Sequence, residues 1–262
     1  MTRWAIALYE SRRRVKGSLI LAAAFSILSL VYMSMFPSMK GIEEDFLEAF
    51  PPAMLELLNM ESFGTVEGFL AVEMYGIFWV VLLGIYFAYI GADSLAGDIQ
   101  KGKMDLTLSC PVSRMQVVGE KVASLLVPLV VLNTIIPLVI YGSVLLIGES
   151  IDPEALIMVH LLSVPYLLSC LGIGVLASSL SDRSKTAGMA AVGAVFFFWL
   201  IEGLARVAGS IDWASRLMPA HYYNPNDILV HASYDGFGAA LLMVLSLLLF
   251  LASMVIFQRR DI

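Results

Sequence analysis

Six apolar runs, separated by polar segments, follow one another along the chain. They cover residues 17–36, 70–91, 119–147, 155–180, 187–207 and 236–257. A helix needs about 20 mostly apolar residues to cross roughly 30 Å of hydrocarbon. Each run approaches or exceeds that length, so the pattern predicts six transmembrane helices in a single membrane domain over residues 1–262.

Composition agrees with the pattern. The chain is 59% hydrophobic and 15% charged, with a mean hydropathy of +0.85. Soluble globular domains average about 45 to 50% apolar and about 25% charged residues. The composition therefore excludes an ordinary soluble domain and predicts an all-α integral membrane protein in contact with membrane lipids.

Basic residues predict the orientation of these helices. Thirteen of the sixteen Lys and Arg residues precede the first run, lie between the second run and the start of the third at Lys121, lie between the fourth and fifth runs, or follow the sixth. Because basic residues concentrate in cytoplasmic loops, both termini and the segment 93–118 are predicted to be cytoplasmic in a cell membrane. The net charge of -6 is a sum over both sides of the membrane, so it indicates no nucleic-acid partner.

Three segments beside the runs have interfacial character. The external segment 37–69 is acidic, with apolar residues at helical spacing before and after Pro51-Pro52, which predicts two amphipathic helices on the membrane surface. The external segment 208–235 is rich in Trp, Tyr and Pro and predicts a re-entrant or interfacial hairpin. Residues 4–12 fit either an amphipathic surface helix or an extension of the first transmembrane helix.

The acidic external segment leaves a second interpretation open. Its carboxylates and methionines could receive a cation, including Cu(I), which thioethers bind. Carboxylates that keep an external loop hydrated and methionines that fill packing gaps account for the same residues.

Polar residues within the apolar runs are few. They include Asn133, His160, Ser163, Ser169 and Cys170, with Glu202 and Arg206 spaced to form a pair on one helical face. Transporters driven by ion gradients place charged groups near the membrane centre. None is found there, so we expect the energy for any transport to come from another protein.

No catalytic constellation or metal-ligand spacing is present, and the chain is not expected to be an enzyme. Residues 97–104 match the phosphate-loop spacing G-x-x-x-x-G-K, but Met104 replaces the Ser or Thr that would hold Mg²⁺. No buried strand of a soluble domain precedes them, which argues against a nucleotide site.

The central polar segment contains a recognisable order of small, charged and apolar residues. It reads Ala96-Gly97-Asp98, Lys101-Gly102-Lys103, Asp105-Leu106-Thr107-Leu108 and Ser109-Cys110-Pro111-Val112-Ser113-Arg114, with Lys121 opening the next run. This order resembles the cytoplasmic loop of ABC-2 type permeases, the membrane subunits of ATP-driven exporters. The segments 219–225 and 257–262 are similar to the same family.

The resemblance implies a short coupling helix that docks on a separate ATPase subunit. It assigns this contact to Gly97, Asp98, Lys101, Gly102, Lys103, Asp105, Leu106, Leu108, Pro111, Val112, Ser113 and Arg114, and a second contact to Asp182, Arg183 and Lys185. We expect one helix from about Ser94 to Ser109, ended by Pro111 and anchored by Leu106 and Leu108. The resemblance also implies a homodimer or heterodimer with a second permease, and ATP and Mg²⁺ bound by the ATPase only.

Two other classes of function stay open on the residues alone. The chain could be a membrane anchor or assembly scaffold without transport, or an intramembrane enzyme that modifies lipids. For the central segment itself the alternative is a merely solvated linker.

Overall fold

Six long helices form the protein. The computed structural model describes residues 4–40, 51, 55, 64–208 and 212–260. The long helices are α1 (Ala5–Met39), α2 (Val66–Gln100), α4 (Arg114–Leu146), α5 (Pro153–Leu180), α6 (Ser184–Ala208) and α9 (Gly236–Arg259). The short ones are α3 (Lys103–Leu108), α7 (Asp212–Ser215) and α8 (Pro225–Leu229), with a 3₁₀ turn at Pro219–Tyr222. The described residues form no strand, and all six long helices are apolar and long enough to cross a membrane, which confirms the predicted number.

Polar caps set where several long helices begin. The side chain of Thr65 accepts a hydrogen bond from the Gly68 N–H at the start of α2, over 3.0 Å. Asp152 and Asp235 cap α5 and α9 in the same way. Each cap satisfies a backbone donor that the helix leaves unpaired, so the boundaries follow from single polar residues beside the apolar runs.

The start of α1 resolves one of the open interpretations. The helix is continuous from Ala5 to Met39, so residues 5–16 extend the first long helix. The predicted amphipathic helices of segment 37–69 fall mainly on residues outside the described ranges.

Helices α2 and α5 occupy the centre of the bundle and approach each other closely. A Cβ atom at Gly91 would lie 2.7 Å from the carbonyl oxygen of Leu171, and one at Gly174 would overlap the carbonyl of Ala88. Ser178 on α5 donates a hydrogen bond of 2.6 Å to the Ala92 carbonyl of α2. Small residues of the fourth apolar run thus allow the backbones of α2 and α5 to come into direct contact.

A polar network joins three helices within the bundle. Over residues Ala71–Leu83, α2 is a π-helix. From this wider stretch the Tyr75 hydroxyl lies 2.8 Å from Nε2 of His160 on α5. Nδ1 of His160 and the Ser163 hydroxyl lie 3.2 and 3.1 Å from the amide oxygen of Asn133 on α4. The polar residues of the apolar runs therefore bond one helix to another.

The segment between α6 and α9 packs into the bundle. The ring of Tyr223 is stacked on Tyr166 of α5 at 5.6 Å, and its hydroxyl donates to the Val159 carbonyl. Close to it, Arg206 and Glu202 form the ion pair predicted from their spacing, with an N–O distance of 2.6 Å.

The basic segments meet at one end of the molecule. Hydrogen bonds join the start of α1 to α4, the end of α2 to the start of α6, and the end of α9 to the loop before α6. We call this the basic end. Segments that carry most of the basic residues therefore lie together at this end of the bundle.

Candidate functional site

The central polar segment forms two helices separated by a glycine. Helix α2 continues to Gln100, and Gly102 adopts a left-handed conformation with φ of 65° before α3 begins at Lys103. Glycine enters this conformation without the steric cost that a side chain brings. The expected single helix from about Ser94 to Ser109 is therefore wrong, because Gly102 ends it.

Helix α3 has one buried and one exposed face. Met104 is buried against the bundle, whereas the side chain of Leu106 is 73% exposed. Leu108 is half-buried, and the charged residues Lys103 and Asp105 are exposed. The expected anchoring role of Leu106 is wrong, since Met104 is the buried side chain that attaches α3 to the bundle, and Leu108 packs against the core beside it.

Pro111, Val112 and Ser113 connect α3 to α4. Pro111 and Ser113 are exposed, and Val112 packs on the buried core. The Ser113 hydroxyl accepts a hydrogen bond of 3.1 Å from the Gln116 N–H, which caps α4. These residues hold α3 at a short distance from the first turn of α4.

Gly97 and Asp98 lie on the bundle side of α2, while Lys101 and Gly102 are exposed. Gly97 is buried, and a Cβ there would collide with the Asp93 carboxylate. Asp98 forms an ion pair of 2.5 Å with Lys121 of α4. Because residues 97–100 are part of a continuous helix, their backbone N–H groups are not arranged as a phosphate loop.

Lys121 is the centre of a buried charge network. Its side chain is 3% exposed, and its ammonium group lies 2.7 Å from Glu10 of α1 in addition to Asp98. Arg14 binds Glu10 at 3.2 Å and also donates to the Ser124 hydroxyl. A buried charge is tolerated when it is paired and hydrogen-bonded, and this network joins α1, α2 and α4.

The network also sets the charge state of Glu10, which precedes the apolar crossing that begins at Gly17. Burial alone would raise the pKa of the Glu10 carboxyl, but Lys121 and Arg14 outweigh it. The pKa is lowered below its ordinary value, so Glu10 is ionised at neutral pH.

Glu120 holds the start of α1. Its carboxylate accepts hydrogen bonds from the N–H groups of Trp4, Ile6 and Ala7, the shortest at 2.8 Å. The Gln116 amide donates a further bond of 2.7 Å. The first turn of α1 is thus capped by a carboxylate from another helix.

Arg114 faces the end of the chain. Its guanidinium donates hydrogen bonds to the carbonyls of Phe257, at 3.5 Å, and Arg260. Arg260 in turn donates to the carbonyls of Ser179 and Ser181 and pairs with Asp182. This chain of contacts connects the end of the central segment to the loop between α5 and α6.

The second predicted contact adjoins the first. Asp182, Arg183 and Lys185 are exposed. Between them, Ser184 donates from its hydroxyl to Asp93 over 2.5 Å and from its N–H to Gln100 over 2.9 Å. The structure therefore brings both predicted segments to one surface at the basic end.

The sequence did not predict that the side chains of Glu10, Glu120 and Arg260 would bond to other helices of the bundle. The available signal was that each lies at the inner end of an apolar helix, where a charged group needs a partner. The described residues contain no group of three or more His, Cys, Asp or Glu side chains arranged to hold a metal ion.

Comparison with known proteins identifies the family. A search among curated proteins finds no match. A family model described as ABC-2 family transporter protein matches residues 4–262, nearly the whole length. Together with the six long apolar helices, this match shows that the chain is a multi-pass membrane protein of the ABC-2 transporter family.

Proposed function

We propose that the chain is the permease subunit of an ATP-driven exporter and that α3 docks on a separate ATPase subunit. ATP and Mg²⁺ bind to that partner, and this chain holds neither. Both termini and the basic end face the cytoplasm, as the distribution of basic residues indicates. The chain pairs in a homodimer or a heterodimer with a second permease, surrounded by membrane lipids.

The exposure of Leu106 is the observation that supports the proposal best. A leucine with 73% of its side chain exposed lies on a short helix among charged residues, at an end of the molecule rich in Lys and Arg. Unlike the exposed leucines of the apolar runs, Leu106 lies on a polar segment, so a docked protein rather than lipid would remove it from water. A merely solvated linker gives no reason for a leucine at this position.

The buried contacts around α3 support a mechanical role. Met104 attaches α3 to the bundle, and the Lys121 network and Arg114 fix the neighbouring ends of α2, α4 and α9. A displacement of α3 by the partner would therefore move α2, which lies at the centre of the bundle. A movement produced by ATP hydrolysis in the partner would in this way be transmitted to the membrane helices.

Co-purification with the ATPase encoded beside the chain tests the proposal. The variant Leu106→Glu with Asp105→Lys changes two exposed side chains and leaves the described internal contacts in place. We expect it to lose co-elution while the chain itself still elutes as a folded species. Arg114 is unsuitable for this test because its side chain holds the end of the chain.

Leu8→Glu is the matched control, since Leu8 is 59% exposed and lies on α1, outside the central polar segment. It is expected to retain the ATPase. Intact co-elution of the Leu106→Glu/Asp105→Lys variant would overturn the assignment of α3. ATPase activity in membranes that is unchanged when the chain is deleted would favour a scaffold, and lipid turnover by the purified chain alone would favour an enzyme.

A further inference from the structure

A polar cavity at the basic end lies beside α3 and is lined in part by Lys103 of that helix. It has a volume of about 200 Å³ and lies between α1, the end of α2, α3 and Lys121 of α4. A single water needs only about 10 to 15 Å³ of such cavity volume, so the cavity has room for several waters. It is large enough for a compact polar group rather than for a single ion.

The inner wall of the cavity is electrically balanced. Lys121 and Arg14 supply two positive charges, and Glu10 and Asp98 supply two negative ones. These four side chains are paired with one another at 2.5 to 3.2 Å. The wall therefore leaves no unpaired charge for a ligand.

The rim has an excess of positive charge. Arg13, Lys101 and Lys103 line it and are exposed, and none of them has an ion pair with any residue in the described ranges. The carboxylate of Asp93 is the only negative group of the rim, and it already accepts a hydrogen bond from Ser184. The cavity as a whole carries a net charge of about +2, which a singly or doubly charged anion would neutralise.

The position of Arg13 places the cavity near the membrane surface. Arg13 precedes the apolar run that begins at Gly17 by four residues, or about 6 Å along the helix. The polar layer on each side of the hydrocarbon is roughly 5 to 8 Å thick. Arg13 therefore lies at the depth of the phosphates of membrane lipids.

We propose that this cavity binds a phosphate group, supplied by the headgroup of an anionic lipid or by free phosphate. Arg13, Lys101 and Lys103 contact its oxygens, and the ion pairs of the inner wall fix the positions of α1, α2 and α4 around it. Guanidinium and ammonium groups are the usual partners of phosphate oxygens. The site adjoins the ATPase contact proposed for α3 and shares Lys103 with that helix, but it does not depend on the contact of Leu106.

Thermal unfolding of the full chain, purified without any ATPase in uncharged detergent, tests the site. Phosphatidylglycerol, phosphatidylcholine and inorganic phosphate are titrated separately at constant ionic strength. A ligand that binds only the folded state raises the unfolding midpoint according to its affinity. We expect phosphatidylglycerol to raise the midpoint and phosphatidylcholine to leave it unchanged.

The cavity variant is Arg13→Gln/Lys101→Gln/Lys103→Gln, and the control is Arg12→Gln/Lys16→Gln/Arg259→Gln, which removes three exposed charges outside the cavity. We expect about a hundredfold loss of apparent affinity in the cavity variant and less than twofold in the control. Lys101→Gln alone serves if the triple variant does not fold. If inorganic phosphate raises the unfolding midpoint and phosphatidylglycerol does not, the ligand of the site is free phosphate and the proposal of a phosphate site stands.

Two results would overturn the proposal. One is an equal loss of affinity in the cavity and control variants, which would indicate attraction to surface charge in general. The other is a midpoint that neither phosphatidylglycerol nor inorganic phosphate changes.

Discussion

Single residues decide how closely the two central helices approach each other. Gly174 of α5 lies against the Ala88 carbonyl of α2. One turn further along, the Ser178 hydroxyl of α5 donates a hydrogen bond to the Ala92 carbonyl of α2. Small residues at such positions allow two backbones in a membrane to come into direct contact. The stability of the bundle therefore depends on the absence of a side chain at Gly174.

We expect Gly174→Ala to destabilise the protein by about 1 to 3 kcal/mol, because the added methyl group forces α2 and α5 apart. Gly193→Ala on α6 is the control, since nothing lies within 4 Å of a Cβ there. The control should gain about 0.5 to 1 kcal/mol from helix propensity. Thermal unfolding in detergent measures the stability of both variants. Equal unfolding midpoints for Gly174→Ala and Gly193→Ala would contradict the close contact between α2 and α5.

Glu120 shows a second residue-level effect, in which one carboxylate caps a distant helix. Glu120→Gln keeps the shape of the side chain but removes the charge that faces three N–H groups of α1. We expect a loss of about 1 to 3 kcal/mol and faster hydrogen exchange at residues 4–7.

Glu154→Gln is the matched control for this change because Glu154 is exposed at the start of α5. Its effect should stay within about 0.5 kcal/mol. Unchanged exchange at residues 4–7 in Glu120→Gln would show that the charge is dispensable there.

At the scale of elements, the buried ion network determines how α1, α2 and α4 are joined. Lys121 holds Glu10 and Asp98 from two other helices, and its side chain is almost fully buried. Removing one member of a buried pair leaves the remaining charges without compensation.

Lys121→Met is therefore expected to destabilise the protein by about 3 to 5 kcal/mol, although methionine has a similar length. The double change Lys121→Met/Asp98→Asn should recover part of this loss, since it removes the carboxylate left unpaired and keeps the ion pair between Glu10 and Arg14. Lys16→Met, at an exposed position on α1, provides the control. The thermal unfolding midpoint should be highest for the control, lower for the double variant and lowest for Lys121→Met. Equal midpoints for Lys121→Met and the control would refute the role of the buried network.

For the whole molecule, the prediction with most consequence is the orientation of the basic end. The chain contains two cysteines: Cys110 is partly exposed beside α3, and Cys170 is buried in α5. They provide a natural probe, because a membrane-impermeant maleimide reaches only an accessible thiol on its own side.

We expect Cys110 to be labelled in inside-out membrane vesicles and protected in right-side-out vesicles. The variant Cys110→Ser should show no labelling in either preparation, because Cys170 is buried. Labelling of Cys110 in right-side-out vesicles would reverse the proposed topology and remove the basis for an ATPase contact at α3.

Much of the architecture follows from the chain alone. The number of membrane helices depends on the length and polarity of continuous segments, which are local properties. The central polar segment and its glycine were also visible in the sequence. The position of the helix break at Gly102 was not, because glycine also occurs within helices and only its backbone conformation distinguishes the two cases.

The direction of each side chain in the candidate site was decided by the tertiary structure. From the sequence, Asp98, Leu106 and Arg114 were equally plausible as contacts of a partner. Folding turns Asp98 and Arg114 inward, toward Lys121 and the end of the chain, and leaves Leu106 outside.

The physical reason is the separation of these partners along the chain. Lys121 meets Glu10 across 111 positions, and Arg114 meets the Arg260 carbonyl across 146. The sequence by itself determined that six helices cross a membrane and that one polar segment stays outside it. Only the packed bundle determined which charges of that segment are paired within the protein and which are left for another molecule.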